Sequence, residues 1–143
     1  MGWSTRIVAA KNYGGEFLWD DFNRSLELIE WNKTYLAQYM DEVINNFPNQ
    51  TGELRYKIDK PERDGGDDWH YCGWYYWELT KDVLAELSKP DSVERFADIY
   101  EEYSWGFKNK KERKEFIKEW KGTLRACKFL VNKRYVKLYW VEG

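Results

Sequence analysis

The chain has 143 residues, two cysteines, one histidine, a 19% aromatic content and a net charge of −2. A chain of that length forms one domain and buries a core without needing a disulfide or a structural metal. Its two cysteines lie too far apart for a zinc knuckle, no run is long enough to cross a membrane, and no signal-like apolar segment follows Met1, so a cytoplasmic setting with free thiols is expected.

In chain order, Trp3 to Ala10 reads as a short first strand, with Ile7 and Ala9 on one face and Arg6 and Val8 on the other. Tyr13-Gly14-Gly15 is a break. From Phe17 to Phe47, Phe22, Leu26, Ile29, Leu36, Met40, Val43 and Phe47 recur at spacings of three, four or seven, which predicts one long helix with Asp20 or Asp21 as its cap and a possible interruption at Asn32-Lys33-Thr34. Glu53 to Ile58 alternates cleanly and predicts a half-buried antiparallel strand, paired across a long loop with Asp68 to Tyr75. Tyr76 to Ser88 turns helical and stops at Lys89-Pro90, and Asp91 or Ser92 is the expected cap of the next helix, which ends at Gly106. Asn109, with Glu112 three residues on, has a capping signature for a further helix that Gly122 is expected to stop. Thr123–Val131 and Arg134–Val141 then read as a hairpin about Asn132-Lys133, with Cys127, Phe129 and Val131 on one face and Val136, Leu138 and Trp140 on the other. The expected fold is a single α+β domain over residues 1–143, an antiparallel sheet with hairpins at about 53–75 and 123–141 packed against about four helices.

The densest chemistry lies in Asp64 to Leu79, DGGDDWHYCGWYYWEL. On a strand, Asp68, His70, Cys72 and Trp74 share one face, and Trp69, Tyr71 and Tyr75 share the other with Gly73. His70 and Cys72 are the only catalytic candidates. Alternate residues on a strand stand about 6.6 Å apart, and a nucleophile's base must reach it, so the pair makes neither a dyad nor a metal site without Cys127 or a carboxylate such as Asp64 or Asp67 from elsewhere. Neither a phosphate loop nor a Gly-x-Ser-x-Gly elbow occurs. No metal and no cofactor is expected, and an enzyme using His70 ranks third among the readings.

The first reading is a small non-catalytic binding protein, an inhibitor or regulator acting by stoichiometric contact with a protein partner. Its surface would be aromatic and acidic, built from Trp69, Tyr71, Trp74, Tyr75, Trp77, Tyr100, Tyr103 and Trp105, because Tyr and Trp carry interface energy. In texture (short, acidic, aromatic, without catalytic signatures) the chain is similar to accessory proteins of phages and other mobile elements. The second reading follows the charge. Residues 1–106 carry 11 Lys/Arg and 21 Asp/Glu, whereas residues 107–143 carry 12 Lys/Arg and 4 Asp/Glu. Lys110, Lys111, Arg113, Arg125, Lys128, Arg134, Tyr135 and Lys137 are the candidates for an anionic ligand, a nucleotide or single-stranded nucleic acid. Lys118 and Lys121 continue the basic run, and Phe129 and Trp140 are interleaved with it. Duplex DNA is disfavoured because the acidic remainder repels a long polyanion. A homodimer is compatible with either reading, and a membrane partner with neither.

Overall fold

In the computed structural model the described residues are 4–12, 14–31, 36–44, 51–57, 69–104 and 106–143, with side chains described at all of these but 44, 53, 55–57, 69–73 and 103. The elements in order are β1 (Thr5–Lys11), α1 (Trp19–Asn23), β2 (Leu26–Trp31), α2 (Ala37–Ile44), β3 (Thr51–Lys57), β4 (Trp69–Glu78), α3 (Lys81–Leu87), α4 (Pro90–Tyr103), α5 (Lys110–Leu130) and β5 (Val136–Glu142). The five strands form one antiparallel sheet in the order β2-β1-β5-β4-β3. This is the expected α+β class, with five helices among the described residues.

The last strand lies in the centre. β5 slots between β1 and β4, and its sequence, VKLYWVE, is buried from Leu138 to Glu142 because both faces of the sheet are covered there. Ser4 and Gly143 close the β1–β5 ladder with a reciprocal backbone pair, at 2.7 and 3.0 Å. On one face Ile7, Leu138 and Trp140 meet α2, α3, α4 and α5. Here Trp31, Trp120 and Trp140 cluster with Tyr39 and Phe96 at centroid distances from 4.5 to 6.4 Å. On the other face Val8, Tyr76, Tyr139 and Val141 lie under the stretch that enters α1, where Phe17 stacks on Tyr139 at 3.8 Å.

Four expectations are corrected. The long helix over Phe17–Phe47 is instead α1, the edge strand β2 and α2. β1 needs an outer partner for its backbone groups, and LELIEW supplies it, with a register shift between Ile7 and Val8 that blurs strict alternation. The helix expected from Tyr76 starts at Lys81, because β4 continues to Glu78 opposite Tyr139; Thr80 caps α3 by accepting the Val83 amide at 3.2 Å. Neither Asp91 nor Ser92 caps α4, since Pro90 takes its first position and Lys89 is the N-cap. The hairpin at 123–141 does not form. α5 runs through Gly122 to Leu130, and only the second arm is a strand. A glycine inside a helix costs about 1 kcal/mol, which burial of Trp120, Leu124 and Cys127 outweighs. The connection from α5 to β5 turns at Tyr135, a non-glycine residue at φ 64°. The other expected hairpin is present as β3–β4, with Leu54 opposite Trp74 and Lys57 opposite Trp69.

Candidate anion-binding surface

The surface is built by α5. Asn109 caps it, accepting the Glu112 amide at 2.9 Å, as its spacing predicted. The helix then sorts its side chains into three sectors. Trp120, Leu124 and Cys127 point into the core. Lys111, Lys114, Lys118, Lys121, Arg125 and Lys128 recur at spacings of three and four, and all six are exposed. At 3.6 residues per turn they occupy a sector of about 100° and run for about 25 Å along the axis. Glu112, Glu115 and Glu119 lie on the opposite flank, so the solvent side of the helix is divided into a basic ridge and an acidic one.

None of the six ridge cations takes part in an ion pair with another described residue. Arg113, one position off the ridge, behaves in the opposite way. Its guanidinium reaches Glu94 at 3.0 Å, Asp98 at 2.8 Å and Glu101 at 3.1 Å, all on α4. These bonds, that to Glu94 above all, raise its already high pKa. Lys137 is likewise held by Glu78 at 3.1 Å. Thus the basic C-terminal part and the acidic remainder neutralise each other at Arg113 and Lys137 and leave the ridge open.

Two exposed aromatic rings follow the ridge in the chain. Phe129 is 63% exposed, with the Lys133 ammonium 4.2 Å from its centroid. Tyr135 is 48% exposed, with the Arg134 guanidinium at 4.8 Å. A small cleft of about 170 Å³ flanks the ridge between Ser88 and Val93 on one side and Lys121, Arg125 and Lys128 on the other.

Of the anion-binding candidates, Lys110, Lys111, Arg125, Lys128, Arg134 and Tyr135 therefore stand exposed, and Arg113 and Lys137 are in ion pairs. Lys114, Lys118, Lys121 and Phe129 belong with them, and the repeat of three and four was the sequence signal for the three lysines once a continuous helix is assumed.

The aromatic candidates are placed differently. Trp74 is half-buried against Phe22, at 5.4 Å, with the Arg6 guanidinium at 5.1 Å from its ring. Trp77 packs against the helix-side core, and Tyr100 stacks on Phe116 at 4.3 Å. Tyr75 is half-buried on β4. The side chains of Trp69, Tyr71 and Tyr103, and Trp105 as a whole, lie outside the described residues, as do the side chains of His70 and Cys72 and the residues Asp64, Asp67 and Asp68. Among the described residues no cluster of three or more His, Cys, Asp or Glu could hold a metal ion. Cys127 is a free thiol whose pKa burial pushes up to about 11, so it is poorly suited to act as a nucleophile.

One buried acid escaped the sequence reading. Glu142 is fully buried; its Oε1 accepts from Thr5 Oγ1 at 2.7 Å, Trp140 Nε1 at 2.8 Å and the Leu36 amide at 3.2 Å. Its Oε2 is buried without a partner among the described residues. Burial outweighs the three donors and raises the carboxyl pKa to about 7.

Compared with protein families, curated proteins and solved structures, the chain matches none. No helix among the described residues is long and apolar enough to cross a membrane.

Proposed function

We propose that the protein binds single-stranded nucleic acid along the basic ridge of α5. The observation that carries this reading is the row of six exposed cations, open to solvent, with two exposed aromatic rings following it in the chain. Cations in a row neutralise successive phosphates and release their counterions. Exposed rings stack unpaired bases whatever their identity. The acidic flank of α5 and the acidic surface of α4 border the ridge and repel a second strand, which favours a single strand over a duplex.

The test is fluorescence anisotropy with a labelled 12-nucleotide single strand at low salt. The combined variant Lys118→Glu, Lys121→Glu and Arg125→Glu is expected to lose at least 100-fold in affinity while keeping the wild-type circular dichroism spectrum. Equal binding by the variant and the wild type would show the ridge to be an ordinary solvated helix face.

A second reading, stoichiometric capture of a protein partner, draws support from β4. β5 pairs with β4 from Tyr75 onward, so the Trp69–Trp74 half extends past β5 with β3 as its strand neighbour. A strand edge of that kind accepts a further strand. Under this reading Trp74→Ala, at the start of that edge, abolishes partner capture, and the ridge variant does not.

A further inference from the structure

A second cleft lies at the opposite end of the sheet from Ser4 and Gly143, where β1 ends, β2 and β5 begin and α1 turns back. Its volume is about 640 Å³, and Ala9, Ala10, Lys11, Asp21, Arg24, Leu26 and Val136 line it. We propose that this cleft binds a nucleoside monophosphate, a ligand carrying an anionic group, a flat ring and a hydrogen-bond donor.

The β1 sequence TRIVAAK closes on two alanines, residues that strands ordinarily disfavour. Ala9 is half-buried opposite Leu26, and its methyl leaves open the space that a Val or Ile side chain would fill, whereas Ala10 turns to the other face and is buried in the cluster with Val8 and Phe17. The volume lies in the range of small-molecule sites and far exceeds the need of an inorganic anion. The lining divides into two parts. Ala9, Ala10, Val136 and Leu26 are apolar, and Leu26 is 66% exposed, the most exposed large apolar side chain among the described residues. A ring laid against it would remove that surface from water.

The polar part consists of Lys11, Arg24 and Asp21. Neither cation has an ion-pair partner among the described residues, and a guanidinium and an ammonium lining one cleft match the charge of a phosphate monoester. Asp21 accepts the Leu18 amide through Oδ2 at 2.9 Å. Its Oδ1 takes no hydrogen bond from the described residues and is available to an amino or hydroxyl donor on the ligand. A fatty carboxylate would satisfy the leucine and the cations but leave Asp21 facing an apolar chain. A nucleoside monophosphate satisfies all three.

The site is separate from the α5 ridge, and its test is chosen to keep the two apart. Isothermal titration calorimetry of the full chain compares adenosine and uridine 5′-monophosphates with their nucleosides and with inorganic phosphate. At least one nucleotide is expected to bind at least 10-fold more tightly than its nucleoside and than phosphate. Arg24→Glu is expected to lose at least 10-fold of that affinity and Leu26→Glu to weaken it. Arg24 and Leu26 are exposed, so both variants fold, and thermal melting verifies this. The ridge variant Lys118→Glu, Lys121→Glu, Arg125→Glu retains wild-type nucleotide affinity. Nucleotides that bind no better than phosphate, or an Arg24→Glu variant that binds like the wild type, overturn the proposal. Equal losses in the Arg24 and ridge variants also overturn it, because they assign the binding to overall charge.

Discussion

Arg113 and Arg125 are twelve positions apart on the same helix, yet they occupy opposite environments. Arg113 lies between α5 and α4 in the grip of Glu94, Asp98 and Glu101. Arg125 stands on the solvent side with the ridge lysines. The difference shows that the steep charge imbalance between the two parts of the chain has two destinations. One portion fastens helix to helix and is neutralised there. The other faces outward and is free to meet a ligand. Net charge alone cannot separate the two, whereas position around the helix axis does.

The largest break in this contrast comes from the inward side. Trp120→Ala empties the centre of the cluster that joins α5 to Trp31, Phe96 and Trp140. A loss of about 3–5 kcal/mol in chemical unfolding is expected. The next effect concerns the buried acid. The folded carboxyl of Glu142 titrates near 7, above its unfolded value of 4.5. The folded state thus holds this proton where the unfolded state has released it, and stability falls as pH rises from about 4.5 to about 7 and levels off above. The decrement is on the order of 3 kcal/mol. Glu142→Gln keeps a side-chain carbonyl for Thr5, Trp140 and Leu36 and removes the titration. Its denaturation midpoint is expected to be flat across that pH window, and a wild-type-like slope would assign the dependence to another group.

Smaller effects separate the two kinds of cation directly. Arg113→Ala leaves three carboxylates facing one another across the α4–α5 contact, and a stability loss of about 1 kcal/mol is expected because the network is exposed to solvent. Nucleic-acid affinity is expected to change little. Lys121→Gln shows the reverse pattern. Stability stays within about 0.5 kcal/mol, while the slope of log affinity against log salt falls by about 0.7 for a single strand. If Arg113 moved the salt slope and Lys121 did not, the assignment of the two flanks would be inverted.

The sequence revealed elements whose signals were local. The Asn109–Glu112 cap, the alternation that pairs β3 with β4, and the core face of β5 at Leu138 and Trp140 were all legible. Two stretches carried both periods at once. In TLRACKFLV, Cys127, Phe129 and Val131 fit a strand face, but Leu124, Cys127 and Val131 fit a helix face. Burial of Leu124 and Cys127 beside a 63% exposed Phe129 decides for the helix. In LELIEW the helical spacing was a coincidence of neighbouring elements, and the need of β1 for an outer partner decided the outcome. The ridge was half visible, since its cations form a run in the sequence, but their shared flank depended on α5 continuing through Gly122. The Lys11–Arg24–Leu26 cleft left no sequence signal, because it joins the consecutive elements β1, α1 and β2 with Val136 of the distant β5.

The paired backbone bonds between Ser4 and Gly143 have a mechanical consequence. Tension applied at residues 4 and 143 acts on neighbouring antiparallel strands from the same end. It is therefore expected to load the β1–β5 ladder as a zip, one rung at a time, where a pull along the strands would shear every rung together. The first rung past the pair is Thr5 opposite Glu142, so the opening step detaches the buried carboxyl from its threonine donor and admits water to the centre of the sheet. The central strand, buried from Leu138 to Glu142, is thus held at this end by a seam that a pull opens one rung at a time.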